Sequence, residues 1–332
     1  MPNLLELNNL NMSFYTYAGE VQALRGVSFT LEHGEVIGIV GESGSGKSVT
    51  SLSIMGLLPP AAKIKGGSIN FNGRDLLTLS SAQMQQIRGN EISMVFQDPM
   101  TSLNPVYTVG NQIMEPLMLH QHLSRSQAQK KAVEMLALTG IPDPLQRFNQ
   151  YPHEFSGGMR QRAMIAMALS CQPRLLIADE PTTALDVTIQ AQILALMKDL
   201  KEHFNTSIIM ITHDLGVVAQ LCSRILVMYG GIIVEEGSTR DIFHNPRHPY
   251  TWGLLKSVPD IRNLDQGRLI PIDGQPPDLL LPPSGCPFWP RCQYAMRICA
   301  ETRPQLTEVN SGHAAACWLC HHQAPTVKEV SK

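Results

Sequence analysis

Gly41-Glu42-Ser43-Gly44-Ser45-Gly46-Lys47-Ser48 is the stretch of sequence that decides the fold. It matches G-x-x-x-x-G-K-S, in which glycines turn backbone N–H groups inward to hold an anion and the lysine reaches the β and γ phosphates of a nucleotide. The apolar run Val36 to Val40 precedes it, and a helical pattern from Ser48 to Leu58 follows. Because the motif stands between a buried strand and a helix, we predict a phosphate-binding loop with Ser48 on magnesium.

Length and composition bound the rest of the molecule. The chain has 332 residues, of which 43% are hydrophobic, and its 26 Lys and Arg nearly balance 28 Asp and Glu. It therefore has enough apolar sequence for a full core, and nothing suggests an electrostatic grip on nucleic acid. No apolar run approaches the roughly 18 to 20 residues that cross a bilayer, and residues 1–10 show no leader pattern. We expect a chain that stays in the cytosol.

A second apolar run, Leu175 to Ala178, ends in the acids Asp179 and Glu180. After a phosphate-binding loop, an acid at this point binds magnesium, and a neighbouring acid can polarise the attacking water. We predict Asp179 in the first role and Glu180 as general base, with their side chains on opposite sides of a strand. Two such acids alone are often only solvated surface residues, but the preceding loop favours the catalytic interpretation.

Strand-like and helix-like segments alternate along most of the chain. Further apolar runs at residues 208–212 and 225–228 follow a helical pattern at 190–201, which predicts an α/β fold with a parallel sheet. Residues 88–170 look mostly helical, with Ser126 as the cap of one helix. Gly230-Gly231 predicts a hairpin, so antiparallel strands should follow the parallel ones.

Five of the seven cysteines crowd the last fifth of the chain, beside a cluster of prolines. Four of them, Cys286, Cys292, Cys299 and Cys317, follow the spacing C-x5-C-x6-C-x17-C. This spacing is wider than the paired cysteines of most zinc ribbons and does not match the common ferredoxin run. It still favours a metal site, zinc or iron–sulfur, over buried or free thiols.

The segment Phe155-Ser156-Gly157-Gly158-Met159-Arg160-Gln161-Arg162 resembles the signature sequence of ABC ATPases, apart from Met159, where glutamine is usual. In that family two ATPase subunits lie head to tail, and each signature faces the ATP held by the other subunit. The resemblance implies that Ser156, Gly157, Gly158 and Met159 face a partner's ATP. It further implies a magnesium-sensing Gln97, a switch histidine at His213 and a D-loop at Thr183-Ala184-Leu185-Asp186.

The resemblance also completes the predicted nucleotide site. Phe14 is the expected aromatic on adenine, with Tyr15 and Tyr17 as rivals, and Lys47, Glu180 and His213 are the expected catalytic residues. Magnesium is expected at Ser48 and Gln97. The predicted ATP-binding residues are Phe14, Gly41, Glu42, Ser43, Gly44, Ser45, Gly46, Lys47, Ser48, Val49, Gln97 and Asp179.

Four further segments, residues 98–105, 248–251, 285–287 and 291–292, together resemble the ATPases of oligopeptide and dipeptide importers. That likeness implies ATP-driven closure of a dimer, two membrane permeases, a second, non-identical ATPase and an external substrate-binding protein. The chain would then lie at the cytoplasmic face of the membrane. Some members hold a 4Fe-4S cluster in a cysteine-rich tail, which implies a structural cluster at the four cysteines above, with Cys320 able to replace Cys317.

The family resemblance implies an ABC-type P-loop NTPase with a RecA-like mixed sheet core, an antiparallel β subdomain and a helical subdomain, followed by a small cysteine-rich appendage. We place the ATPase domain at 1–240, with the helical subdomain at about 88–172. A linker helix at 241–265, the appendage at 266–325 and a tail at 326–332 follow.

Other functions are left open by these residues. The cargo could be a nickel chelate or glutathione instead of a peptide, since an ATPase subunit does not touch it. A soluble ABC protein of DNA repair or translation is disfavoured because the spacing from Ser48 to Ser156 leaves no room for a long coiled coil, and no basic arm is present. A redox or metal sensor in the cysteine tail is compatible with transport.

Overall fold

The computed structural model describes residues 3–98, 102–183, 186–257, 271–325 and 327. Its strands, numbered in chain order, are β1 Leu5–Thr16, β2 Gly19–Leu31, β3 Val36–Val40, β4 Ala62–Phe71, β5 Arg74–Asp75, β6 Ile92–Val95, β7 Leu175–Asp179, β8 Ser207–Thr212, β9 Arg224–Tyr229, β10 Ile232–Ser238, β11 Thr307–Asn310 and β12 His313–Ala315.

The α-helices of the described residues are α1 Lys47–Met55, α2 Ser81–Ile87, α3 Val109–His120, α4 Arg125–Leu138, α5 Pro144–Arg147, α6 Gly157–Leu169, α7 Val187–Phe204, α8 Leu215–Leu221, α9 Thr239–His244, α10 Pro249–Lys256 and α11 Arg297–Glu301. Short 3-10 turns lie at Leu76–Thr78, Pro152–Glu154, Trp289–Arg291 and Trp318–Cys320. No helix of the described residues combines the length and the apolar character needed to cross a membrane.

The chain forms two compact units that alternate along the sequence. The first unit contains Glu32–Glu35 and Thr78–Ile211, and the second contains Asn3–Leu31, Val36–Leu77 and the residues from Thr212 onward. The domain boundaries predicted above are consecutive segments and stay a prediction. The predicted linker beyond residue 257, residues 99–101 and 184–185 of two motifs, and all of the tail except residue 327 lie outside the described residues.

The first unit is built on parallel strands with helices. Ile92 of β6 is paired with Leu175 of β7, and Leu175 in turn with Ser207 of β8. Every residue of β6 and β7 is buried, as expected for parallel strands covered on both faces. The predicted parallel pairing is confirmed for β7 and β8, whereas β6 lies in the segment 88–170 that we expected to be mostly helical. The helices α3, α4 and α6 precede β7, in agreement with the helical pattern of residues 88–170.

The cap of α4 is not the residue we predicted. Ser124, rather than Ser126, occupies the N-cap, and its Oγ accepts from the N–H of Gln127 at 3.4 Å. The backbone N–H of Ser124 donates in turn to Gln127 Oε1 at 3.0 Å, which completes a capping box. Gln129 likewise stands three residues after Ser126, so both serines fit the capping-box spacing in the sequence, and the structure selects Ser124.

The second unit carries an antiparallel sheet in the order β2-β1-β4-β5 and, separately, strands in the order β11-β12-β10-β9-β3. β3 pairs with β9 in parallel, whereas β9 and β10 form the predicted hairpin across Gly230-Gly231. Both glycines have positive φ, 55° and 79°, as a tight primed turn requires. Glu235 of β10 lies opposite Ala315 of β12, so the C-terminal residues contribute strands to this sheet.

Candidate nucleotide site

The loop Gly41 to Ser48, called the phosphate loop below, needs its glycines for steric reasons. Gly41 has φ of +153°, and a Cβ there would lie 2.2 Å from the carbonyl oxygen of Met228. Gly46 has φ of +106° and is the N-cap of α1; its Cβ would lie 2.9 Å from a Leu24 methyl. Only glycine permits this backbone path, which leads the loop directly into the N-terminus of α1.

Lys47 closes the phosphate loop on itself. Its Nζ donates to the carbonyl oxygens of Gly41 at 2.7 Å and of Glu42 at 2.9 Å. The lysine is buried, whereas Ser43, Gly44 and Ser48 are exposed. The loop therefore presents a solvent-facing rim with a fixed cation behind it, which is the arrangement an anion-binding loop needs.

Glu180 follows β7 directly and stands in the left-handed region, with φ of +48°. Its backbone N–H donates to the carbonyl oxygen of Ile211 at 2.8 Å. A non-glycine residue in this region is uncommon and is held there by its surroundings. Because β7 ends at Asp179, the strand alternation we used to separate the two acids does not extend to Glu180.

Two side chains orient the carboxylate of Glu180. Gln97 Nε2 donates to Glu180 Oε2 at 3.0 Å, and Thr183 Oγ1 donates to the same oxygen at 2.9 Å. Asp179, at the end of β7, is only 8% exposed. The first unit thus brings Gln97 and Glu180 together, as a shared site requires. Thr183 is an orienting residue that we did not identify as such from the sequence.

Ser156 caps the helix that begins the signature segment. Its Oγ accepts from the N–H of Met159 at 3.3 Å, and both Ser156 and Gly157 are exposed at the N-terminus of α6. Gly158 is half-buried, and a Cβ there would lie 3.2 Å from a methyl of Ile189. The exposed helix N-terminus offers backbone donors and a partial positive charge to an anion.

The remaining predicted residues lie at defined places. Asp186 is the N-cap of α7, where its Oδ1 accepts from the Ile189 N–H at 2.9 Å. His213 is exposed directly after β8, and Val49 is half-buried in α1. Their proposed roles depend on nucleotide or on a partner, so these stay predictions.

The three candidate aromatics differ in their surroundings. Phe14 is half-buried in β1, whereas Tyr17 is completely exposed. Tyr15 is held by lysines: Lys65 Nζ donates to its hydroxyl at 2.6 Å, and Lys63 lies 5.4 Å from its ring centroid. The choice among them for adenine stays a prediction.

The predicted metal site at the cysteines, whether iron–sulfur or zinc, is wrong. Among the residues the structure describes, no group of three or more His, Cys, Asp or Glu side chains is placed to hold a metal ion. Cys286, Cys292, Cys299 and Cys317 do line one small cavity, but with apolar and aromatic neighbours. Sequence spacing alone therefore does not establish that these side chains can hold a metal ion together.

The state of these thiols gives the physical reason for the correction. Burial raises the pKa of Cys286 to about 11, which favours the protonated thiol over the thiolate that ligates metals. A hydrogen bond from Cys317 to Cys320 raises the pKa of Cys317 and lowers that of Cys320, and Cys299 Sγ accepts from the Met296 N–H at 3.4 Å. All of these cysteines are free of disulfides, and they pack as small polarisable side chains.

Known proteins resemble this chain over nearly its whole length. A family model described as ABC transporter matches residues 24–183, and one described as oligopeptide/dipeptide transporter, C-terminal region, matches residues 234–299. The oligopeptide transport ATP-binding protein OppD of Bacillus subtilis is 58% identical over 326 residues, covering 98% of this chain and 91% of that protein. The dipeptide transport ATP-binding protein DppD of the same organism is 57% identical, with coverages of 98% and 97%.

A solved structure agrees with the fold. The dimeric post-hydrolysis structure of the ATP-binding cassette MJ0796, bound to ADP and Pi, superposes with a TM-score of 0.64 at 29% identity. The match covers 71% of this chain and 99% of that one. The mixed sheets, the helices and the phosphate loop therefore have a known parallel, and this chain belongs to the ABC transporter ATPases, in the group of oligopeptide and dipeptide transport ATP-binding proteins.

Proposed function

We propose that this chain binds and hydrolyses ATP as a subunit of a membrane importer for dipeptides or oligopeptides. The observation that carries the proposal is the carboxylate of Glu180, fixed by Gln97 and Thr183 at the end of a buried strand. The relatives named as oligopeptide and dipeptide transport ATP-binding proteins support the peptide cargo. The alternatives of nickel chelate and glutathione have no comparable support.

The phosphate loop binds the triphosphate in this proposal. Its exposed rim and the N-terminus of α1 hold the β and γ phosphates, and Lys47 moves from loop carbonyls to phosphate oxygens. Ser48, Gln97 and Asp179 carry hydroxyl, amide and carboxylate oxygens, the donor types that magnesium prefers. When bound there, magnesium would neutralise phosphate charge. Phe14 stacks on the adenine.

Glu180 acts as the general base. Gln97 and Thr183 hold its Oε2, which orients the carboxylate toward the attacking water. The water loses a proton to Glu180 as its oxygen bonds to the γ-phosphorus, and ADP leaves with the bridging oxygen. His213 contacts the γ-phosphate and stabilises the charge that develops there.

A companion ATPase completes each site. The exposed N-terminus of α6, with Ser156, Gly157, Gly158 and Met159, faces ATP bound by that companion, and Asp186 lies in the D-loop across the same interface. Closure on ATP and reopening after hydrolysis drive two permeases, which receive cargo from an external binding protein. The chain then lies peripherally at the cytoplasmic face of the membrane, with residues 266–325 as a cysteine-rich appendage.

The test is Glu180→Gln in the assembled transporter. We expect ATP binding to be retained and turnover to fall by about 10² to 10⁴-fold, the usual worth of a positioned base. Peptide uptake should fall in parallel. Glu202→Gln, on the exposed side of α7, is the matched control and should leave turnover unchanged. Hydrolysis at the wild-type rate in the Glu180→Gln protein would contradict the assignment of the base.

A further inference from the structure

Glu42 of the phosphate loop is held by two residues more than two hundred positions away. Its backbone N–H donates to the hydroxyl of Tyr250 at 2.7 Å. Its Oε2 accepts from Arg291 Nη1 at 2.7 Å, and its Oε1 accepts from Arg291 Nη2 at 3.0 Å. Arg291 therefore binds the carboxylate with two parallel hydrogen bonds, the strongest and most directional geometry for this pair.

Arg291 is a fixed group and not a mobile surface cation. Its side chain is only 5% exposed. Nε donates to the carbonyl oxygen of Asp273 at 2.8 Å, Nη2 donates to that of Ile272 at 3.0 Å, and Nη1 also donates to the Tyr229 hydroxyl at 3.1 Å. Exposed ion pairs contribute little to stability because both side chains move. The guanidinium of Arg291, in contrast, is already oriented by its hydrogen bonds to backbone carbonyl oxygens.

Packed rings support the same contact. Tyr229, Tyr250 and Phe288 form an aromatic block, with ring centroids 4.5 Å apart for the two tyrosines and 5.2 Å apart for Tyr229 and Phe288. The guanidinium carbon of Arg291 lies 5.7 Å from the Tyr229 ring. A buried block of this kind gives the Tyr250 hydroxyl and the Arg291 guanidinium fixed positions behind the loop.

Glu42 connects this support to the catalytic lysine. Arg291 binds its side chain, and its carbonyl oxygen accepts from Lys47 Nζ at 2.9 Å. An unpaired carboxylate in an anion-binding loop would also repel the phosphates, and the paired guanidinium cancels that charge. Loss of Arg291 would thus disturb both the charge and the path of the loop.

We propose that Arg291 is a positioning residue for ATP binding, which acts through Glu42 to set the charge and the conformation of the phosphate loop. The proposal rests on the proposed function, because it assumes that this loop binds ATP. It adds a requirement that the phosphate-loop motif itself does not contain: residues of the C-terminal third are needed for full affinity.

The test is equilibrium binding of magnesium-ATP with a fluorescent ribose label to the full chain. Arg291→Gln is expected to weaken binding about tenfold, within the range usual for coupled sites. Arg291→Lys keeps the charge but not the paired hydrogen bonds, so its affinity for the nucleotide should lie between those of wild type and Arg291→Gln. In the Glu42→Gln background, Arg291→Gln should change affinity by less than about twofold, because both changes interrupt the same contact.

Controls separate positioning from folding. Arg297→Gln removes an exposed pair with Glu301 on α11 and should bind like wild type. Tyr250→Phe removes only the hydroxyl that Glu42 N–H reaches, and it should weaken binding severalfold even if Arg291→Gln does not fold. In the assembled transporter, Arg291→Lys should raise KM for ATP and leave kcat nearly unchanged.

Two results would overturn the proposal. One is wild-type affinity in Arg291→Gln or, where that variant does not fold, in Tyr250→Phe. The other is an undiminished effect of Arg291→Gln in the Glu42→Gln background, which would mean that Arg291 acts through the carbonyls of Ile272 and Asp273. A wild-type chain that binds no ATP would instead refute the proposed function, so the two failures are distinct.

Discussion

Gln97 Nε2 lies 3.0 Å from Glu180 Oε2, although 83 positions separate the two residues. The amide donates to the carboxylate, so the residue expected to sense the nucleotide also orients the residue expected to act as base. Thr183 Oγ1, from a residue just after Glu180 in the sequence, donates to the same oxygen. Two donors, Gln97 and Thr183, thus hold one carboxylate, and each can be tested separately.

Thr183→Val should lower kcat for ATP hydrolysis by about tenfold, because a hydrogen bond to a charged group is lost while the ATP-binding loop is untouched. KM for ATP should stay unchanged. Thr183→Ser keeps the hydroxyl and is the matched control. Phosphate release by the assembled transporter measures both variants. Equal rates for the valine and serine variants would contradict the orienting role.

Ser156 separates stability from function. Ser156→Ala removes the acceptor for the Met159 N–H, so the free energy of unfolding of the chain should fall by about 1 kcal/mol. Ser156→Asp keeps an acceptor at this N-cap and should preserve stability. Its added charge would face the partner's ATP, so hydrolysis should fall at least about tenfold. Urea unfolding and phosphate release give the two readings, and full hydrolysis by Ser156→Asp would contradict the proposed interface.

His248 predicts a pH dependence of stability. Burial lowers the pKa of His248 to about 4, against the opposing influence of the Glu235 carboxylate. The unfolded chain binds the proton near pH 6.5, so the stabilising contribution is complete above that pH and is lost as the pH falls toward 4. Between pH 7 and pH 5, protonation linked to His248 alone should lower the free energy of unfolding by about 2 kcal/mol.

His248→Asn tests that dependence. His248 Nδ1 accepts from the Tyr250 N–H at 3.1 Å, and asparagine can also accept at an N-cap. The loss of stability between pH 7 and pH 5, measured by urea unfolding, should be smaller in this variant than in wild type. His33→Asn, at an exposed histidine, is the matched control. An unchanged slope in His248→Asn would show that other groups cause the pH dependence.

Gly110 predicts a steric cost within α3. A Cβ there would lie 2.3 Å from the ring of Phe148, whose side chain is buried. Gly110→Ala should therefore lower the thermal midpoint, because overpacking costs about 1 to 3 kcal/mol and exceeds the helix propensity that alanine gains. Gly66→Ala should leave the midpoint nearly unchanged, because no atom outside its immediate chain neighbours lies within 4 Å of a Cβ added at Gly66. A higher midpoint for Gly110→Ala would contradict this packing argument.

Local patterns predicted the parts of the fold that local chemistry determines. The glycines before Lys47 and the apolar run before Asp179 identified the phosphate loop and β7, because each pattern contains its own steric or burial requirement. The hairpin at Gly230-Gly231 followed for the same reason. The start of α4 was not determined in this way, because Ser124 and Ser126 both stand three residues before a glutamine, and only the structure identifies Ser124 as the cap.

Long-range contacts were beyond the sequence. Nothing near Tyr250 or Arg291 indicates that both contact Glu42, since that contact depends on how distant segments fold back. The cysteines failed for a related reason: their spacing is compatible with a metal site, but burial keeps Cys286 as a thiol. Chemistry that depends on side-chain direction has to be read from the structure.

The pairing of β10 with β12 has a consequence for shortened versions of this protein. Glu236 lies opposite Ala314, and the Glu235 carboxylate meets His313 Nε2 at 2.8 Å. A truncation that keeps the nucleotide motifs and ends before residue 307 would remove β12 and leave one edge of β10 unpaired. The buried carboxylate of Glu235 would also lose its contact with the imidazole of His313. Such a fragment would have a template for intermolecular strand addition, so it should aggregate where the full chain does not.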